Sequence, residues 1–136
     1  MSKDERLAAA NDLLLQISKV GRRFFYNSKH DRIARFEITP NGKLWFRDDY
    51  TDKLVYVAYT GRWKQFSHGG TLRRLIEELA EYIRTGARLA PGHFGPWPKY
   101  ICRGDLWGYG TEAMATLRGA ILTNDCVAWS PKSRAA

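Results

Sequence analysis

Residues 32–48 read Arg32-Ile33-Ala34-Arg35-Phe36-Glu37-Ile38-Thr39-Pro40-Asn41-Gly42-Lys43-Leu44-Trp45-Phe46-Arg47-Asp48, and they decide the fold. Side chains along a strand point alternately to its two faces, so Ala34, Phe36 and Ile38 share one face and Ile33, Arg35 and Glu37 the other. Pro40-Asn41-Gly42 supplies the turn, because Asn-Gly accepts the positive φ that tight hairpins need. Beyond it, Leu44 and Phe46 alternate with Lys43, Trp45 and Arg47. The pattern predicts an antiparallel hairpin with one apolar face. Its other face carries Arg35, Glu37, Lys43, Trp45 and Arg47, joined by Tyr56 in one of the two registers.

Outward from this hairpin, Asp49-Tyr50-Thr51-Asp52-Lys53 turns the chain into Leu54–Tyr59, rich in β-branched and aromatic residues. Upstream, Phe24 and Tyr26 alternate with Arg23 and Phe25 ahead of the turn residues 27–31. Helical spacing flanks the strands. Leu7, Ala10, Leu13, Leu14 and Ile17 mark a helix over 4–20 that stops near Gly21. Leu72, Leu75, Ile76, Leu79 and Ile83 mark another over 72–84, with Thr71 as N-cap and Gly86 beyond its end. A short third helix is predicted over 111–122. The expected fold is α+β, a three- to four-stranded antiparallel meander packed against two or three helices. One domain is expected over 1–136, with its core in about 4–123 and a partly frayed tail over 124–136. The Pro- and Gly-rich stretch 87–108 carries several aromatics and reads as a lid on the core, with a binding loop as the other reading.

The chain has 136 residues, 44% of them hydrophobic, which is enough to bury a core. No apolar run of the roughly 20 residues needed to cross a bilayer occurs. The charged start Met1-Ser2-Lys3-Asp4-Glu5-Arg6 lacks the apolar core of a signal peptide. Cys102 and Cys126 lack redox or zinc-finger spacing, so a reduced protein in the cytoplasm is expected. Residues 19–74 hold 13 Lys/Arg against 5 Asp/Glu, which equals the net charge of +8 of the whole chain. Charge on that scale favours an acidic partner or nucleic acid.

Two surfaces are candidates for binding. The first is the basic aromatic strand face with Arg35, Lys43, Trp45 and Arg47. The second is the entry to the second helix, His68-Gly69-Gly70 followed by Arg73 and Arg74. There the first N–H groups of a helix point outward, the dipole favours anions and Gly-Gly permits close approach. Arg73 and Arg74 oppose that dipole, and Glu77 and Glu78 four residues on can offset them. The bland reading is a solvated, paired helix face. Catalysis has little to stand on: His68 beside Ser67 is the one pairing suited to proton transfer. His30, His68, His93 and the two cysteines show no ligand spacing, and Asp48, Asp49 and Asp52 read as solvated turn residues. No catalytic residue, metal or cofactor is expected.

Trp45-Phe46-Arg47-Asp48-Asp49-Tyr50-Thr51, Phe66-Ser67-His68-Gly69-Gly70-Thr71-Leu72 and Tyr82-Ile83-Arg84-Thr85-Gly86 resemble small uncharacterised proteins of phages and mobile elements in Gram-negative bacteria. The resemblance implies an accessory gene product that counters or manipulates a host system, and it carries over no functional residue. The order helix, three strands, helix is also similar to the double-stranded-RNA-binding fold. The extra strand before Ile33 and the acidic Glu77, Glu78 and Glu81 depart from it. The expected function is therefore a non-enzymatic phage accessory protein. Its partner is an acidic host protein or nucleoprotein complex, including a nucleic-acid-targeting defence complex that contact would inhibit. The alternative is direct DNA or RNA binding by the same surface.

Overall fold

Ser2 starts the first helix by accepting a hydrogen bond from the Glu5 N–H while the Glu5 carboxylate accepts one from the Ser2 N–H. This reciprocal cap satisfies two donors that a helix start leaves free. The computed structural model describes residues 1–129. Helix α1 runs Lys3–Gly21 and ends with Arg22 in the left-handed region. Strand β1 (Tyr26–Asn27) pairs antiparallel with β2 (Arg32–Ile33) as a small ribbon. Strands β3 (Arg35–Ile38), β4 (Leu44–Arg47) and β5 (Leu54–Tyr56) form a separate three-stranded antiparallel sheet in that order. Helix α2 spans Gly70–Thr85 and α3 spans Thr111–Ala120. The architecture is α+β, as expected.

The meander has three strands, and the strand before it belongs to a separate two-stranded ribbon. Residues 32–38 divide at Ala34, whose N–H donates to the Phe25 carbonyl at 2.9 Å. The apolar face is the expected one: Ala34, Phe36, Leu44 and Phe46 are buried and Ile38 packs against them. Leu13, Leu14 and Ile17 of α1 and Leu75, Ile76, Leu79 and Ile83 of α2 complete this core. The register places Trp45 opposite both Glu37 and Tyr56, so Tyr56 does join the outer face.

Several boundaries differ from expectation. Helix α2 begins at Gly70 with Gly69 as its N-cap, not Thr71, and no side chain caps it. Gly69 is extended, with ψ −179°, which lets the chain enter the helix directly from the Phe66–His68 segment. The segment 124–129 is packed and not frayed: Cys126 and Val127 are fully buried, and Leu89 bridges Val127 as a parallel pair. The rest of the expected frayed tail, 130–136, lies outside the described residues. In the 87–108 stretch Phe94 and Trp107 are buried, so this loop packs on the core as a lid.

The end of α1 is held by Tyr109. Its hydroxyl donates to the Ile17 carbonyl at 3.0 Å and accepts from the Phe24 N–H at 3.1 Å. The Tyr109 ring lies so close that a Cβ on Gly21 would sit 1.9 Å from it. Glycine at position 21 is thus required by close approach, not by its φ. Gly21→Ala is expected to cost about 1–3 kcal/mol through overpacking. Urea unfolding measures this, and an unchanged midpoint would show that Tyr109 moves aside freely.

Candidate functional site

Asp48, fully buried at the end of β4, organises the region that both candidate surfaces share. One carboxylate oxygen accepts the N–H groups of Tyr50 (2.9 Å) and Thr51 (3.0 Å), forming the turn into β5. The other accepts the Ser67 N–H at 2.9 Å and the Ser67 hydroxyl at 3.0 Å. Four donors meet one carboxylate, which fills its acceptor capacity. The β4–β5 turn is thereby tied to the Phe66–Ser67–His68 segment that leads into α2.

His68 is drawn inward with it. Its side chain retains 9% accessibility and its Nε2 lies 2.6 Å from Asp49 Oδ1. The rings of Phe25 and Phe66 surround it, with centroids 4.7 and 5.4 Å away. Ser67 donates to Asp48 and not to His68, so the pairing suited to proton transfer is not formed. Among the described residues one trio, Asp48, Asp49 and His68, brings metal-type ligand atoms within 4.8 Å of one another. Those atoms already have partners, and a cation would have to displace bonds that hold two loops. Asp52 lies outside this trio and pairs with Arg32 and Arg47, each at 3.6 Å. Cys126 is buried, which pushes its thiol up to about 12.

The outer sheet face is built as expected, and its charge is largely paired. Arg47 Nε lies 2.6 Å from Glu37 Oε2, and Arg35 reaches the same oxygen at 3.1 Å. The hydrogen bond from Arg47 holds the Glu37 carboxyl below its ordinary value. Trp45 is half-buried with its ring 5.0 Å from that of Tyr56, and its indole N–H is buried without a partner. Lys43 extends over the Tyr56 ring, 5.5 Å from its centroid, and enters no ion pair among the described residues. Of the face's predicted site residues, Lys43 alone keeps an uncompensated charge.

At the helix entry the two arginines differ. Arg73 turns back, with its guanidinium 4.2 Å from the Trp63 ring and donating to the carbonyls of Gly61 (2.8 Å) and Tyr59 (3.4 Å). It is a strap for the 59–61 segment. Arg74 is exposed and pairs with Glu78 at 3.7 Å, as the spacing implied.

A groove of about 260 Å³ opens at Gly69 and Gly70, walled by Arg62, Trp63, Lys64 and Arg73, with His68 also in its lining. A second, of about 430 Å³, runs from the same Arg62–Lys64 segment along β5 to Tyr56. Neither is lined by an Asp or Glu. Arg62 and Lys64 are exposed and make no ion pair or side-chain hydrogen bond among the described residues. The structure thus joins Gly69, Gly70 and Arg73 to Arg62, Lys64 and Tyr59, which the sequence reading missed. The signal was present in Tyr59-Thr60-Gly61-Arg62-Trp63-Lys64, where aromatic and basic residues are interleaved without an acid. Arg35, Trp45 and Arg47 stand apart from both grooves, on the sheet face.

An α+β domain with an acid-free basic groove beside its three-stranded sheet is the class that this geometry defines. A family model, YoqU, matches residues 1–122. The SPbeta prophage-derived uncharacterized protein YoqU of Bacillus subtilis (strain 168) is 38% identical over 116 residues, covering 84% of this chain and 77% of the relative. The chain belongs to the YoqU family. No solved structure matches it. The phage resemblance stands, and the Bacillus source of the relative gives no support for restricting it to Gram-negative hosts.

Two outcomes test this framework. Asp48→Asn turns an acceptor into a donor facing donors, at an expected cost of at least about 2 kcal/mol. Amide exchange at Tyr50, Thr51 and Ser67 should accelerate together; acceleration at Ser67 alone would mean that the two loops are held separately. The Glu37 pair should be pH-dependent. Its folded value is depressed, so its stabilisation is present above the unfolded value of 4.5 and is lost as pH falls through the lower folded value. The difference in urea midpoint between the native chain and Glu37→Gln should be flat near neutrality and shrink in acid.

Proposed function

We propose that this chain is a non-enzymatic prophage accessory protein that binds an acidic surface of a bacterial host partner in the cytoplasm. The groove walled by Arg62, Lys64 and Arg73, continuous with the entry to α2, is the binding element. One observation carries the reading: both grooves lack an acidic lining residue while Arg62 and Lys64 find no partner among the described residues. Elsewhere on the candidate surfaces Glu37, Asp52, Glu77 and Glu78 meet their cations. Cations left uncompensated around a concave surface favour encounter with a negatively charged partner. The prophage relative supports a role toward the host, and a nucleic-acid-targeting defence complex is the partner class that this reading takes.

A second reading is direct nucleic-acid binding, favoured by exposed Tyr56 and Tyr59 beside Lys43, Arg62 and Lys64, an arrangement that stacks bases and meets phosphates. Affinity capture from host lysate, with and without nuclease, separates the two. A nuclease-resistant protein partner is expected, with recovery falling at least about tenfold for Arg62→Glu/Lys64→Glu. Equal recovery by that variant would sink the groove as the binding element. Binding to random DNA or RNA whose log affinity falls linearly with log salt would establish the second reading instead.

A further inference from the structure

The two edges of the β3–β4–β5 sheet are treated differently. On β3, the Asn11 side chain of α1 accepts the Phe36 N–H at 2.7 Å and donates to the Phe36 carbonyl at 3.1 Å, which occupies the middle of that edge. Opposed residues in an antiparallel ladder alternate between exchanging two hydrogen bonds and exchanging none. Phe36 therefore spends neither group on Phe46, and Phe46 directs its own toward Val55. The bond from the Asp48 N–H to the Lys53 carbonyl, 3.0 Å, is in phase with this. Leu54 and Tyr56 then point their backbone groups away from the sheet. The Tyr56 carbonyl accepts the Tyr59 N–H at 3.0 Å. The Leu54 N–H and carbonyl and the Tyr56 N–H have no partner among the described residues. Leu54 and Tyr56 line the 430 Å³ groove together with Arg62 and Lys64.

We propose that this edge takes an extended acidic peptide segment of a partner protein as an added β-strand. The peptide backbone pairs with Leu54 and Tyr56, and acids at every second position meet Arg62 and Lys64. The proposal rests on the acidic-partner reading above and specifies its mode. A strand edge offers donor and acceptor in alternation, which a peptide matches. A phosphodiester backbone carries no donor for the Leu54 carbonyl. A second copy of this chain is disfavoured, because a net charge of +8 would face itself and bring two Arg62–Lys64 pairs together. Three strand residues span about 10 Å, so main-chain pairing sets register and direction while charge selects the partner.

The test uses the full chain and a fluorescein-labelled eight-residue peptide alternating glutamate and valine. The same peptide with alternate backbone nitrogens methylated keeps every charge and loses the pairing donors, and an oligothymidylate of equal length serves as the nucleic-acid probe. Expected in anisotropy titrations is about tenfold weaker binding of the methylated peptide, and a similar loss for Arg62→Glu/Lys64→Glu with the plain peptide. Amide shifts should centre on Leu54 and Tyr56. Equal binding of both peptides overturns strand addition and leaves the acidic-partner reading standing. No binding of the plain peptide also overturns strand addition, and the lysate capture then decides the parent reading. Tighter binding of the oligothymidylate, with shifts at the same residues, overturns it in favour of nucleic acid.

Discussion

The carboxylate of Asp48 is the constraint on which the functional half of the molecule depends. It takes four donors from two loops that are nearly twenty residues apart, and it does so without contact with water. Buried donors left without acceptors are costly, so neither loop can relax without exposing the other. The direction in which β5 leaves its turn and the point at which the chain enters α2 are therefore set by one side chain. Asp49 extends the tie by holding His68 among aromatic rings, which places Gly69 at the surface. The grooves are spaces between elements fixed in this way.

Much of the fold was legible because it follows from period. Alternation from Ala34 to Ile38 and from Leu44 to Phe46 correctly assigned inner and outer faces, and Asn41-Gly42 placed the hairpin. The heptad-like stripe of α2 located its buried side. The break at Ala34 was not legible, since a bridge to Phe25 depends on where α1 delivers the chain. The roles of Asp48 and Asp49 were also hidden. Acids in a turn are usually solvated, and nothing local marks these two as buried. Their partners, Ser67 and His68, are nineteen residues away. The order of 124–129 was missed for the same reason, because its pairing with Leu89 is long-range.

The candidate site shifted for electrostatic reasons. A tally of charge along the chain cannot tell a paired cation from a free one. Arg35, Arg47 and Arg74 have carboxylates at hand, and Arg73 spends its guanidinium on Trp63 and backbone carbonyls. Arg62 and Lys64, in a segment without regular structure, stayed below notice because no period marks them. Their significance comes from what surrounds them: aromatic walls, an open strand and no acid.

Asn11 has a consequence that concerns assembly. Runaway stacking of sheets requires each incoming molecule to present a fresh edge to the next one. Here an amide on α1 stands where a fourth strand would pair, occupying both hydrogen-bonding groups of Phe36. A copy that received a strand at β5 would find the middle of its β3 edge already spent on Asn11. A molecule that took one strand at β5 would therefore offer the next copy a poor edge at β3, so strand addition there would be limited in extent.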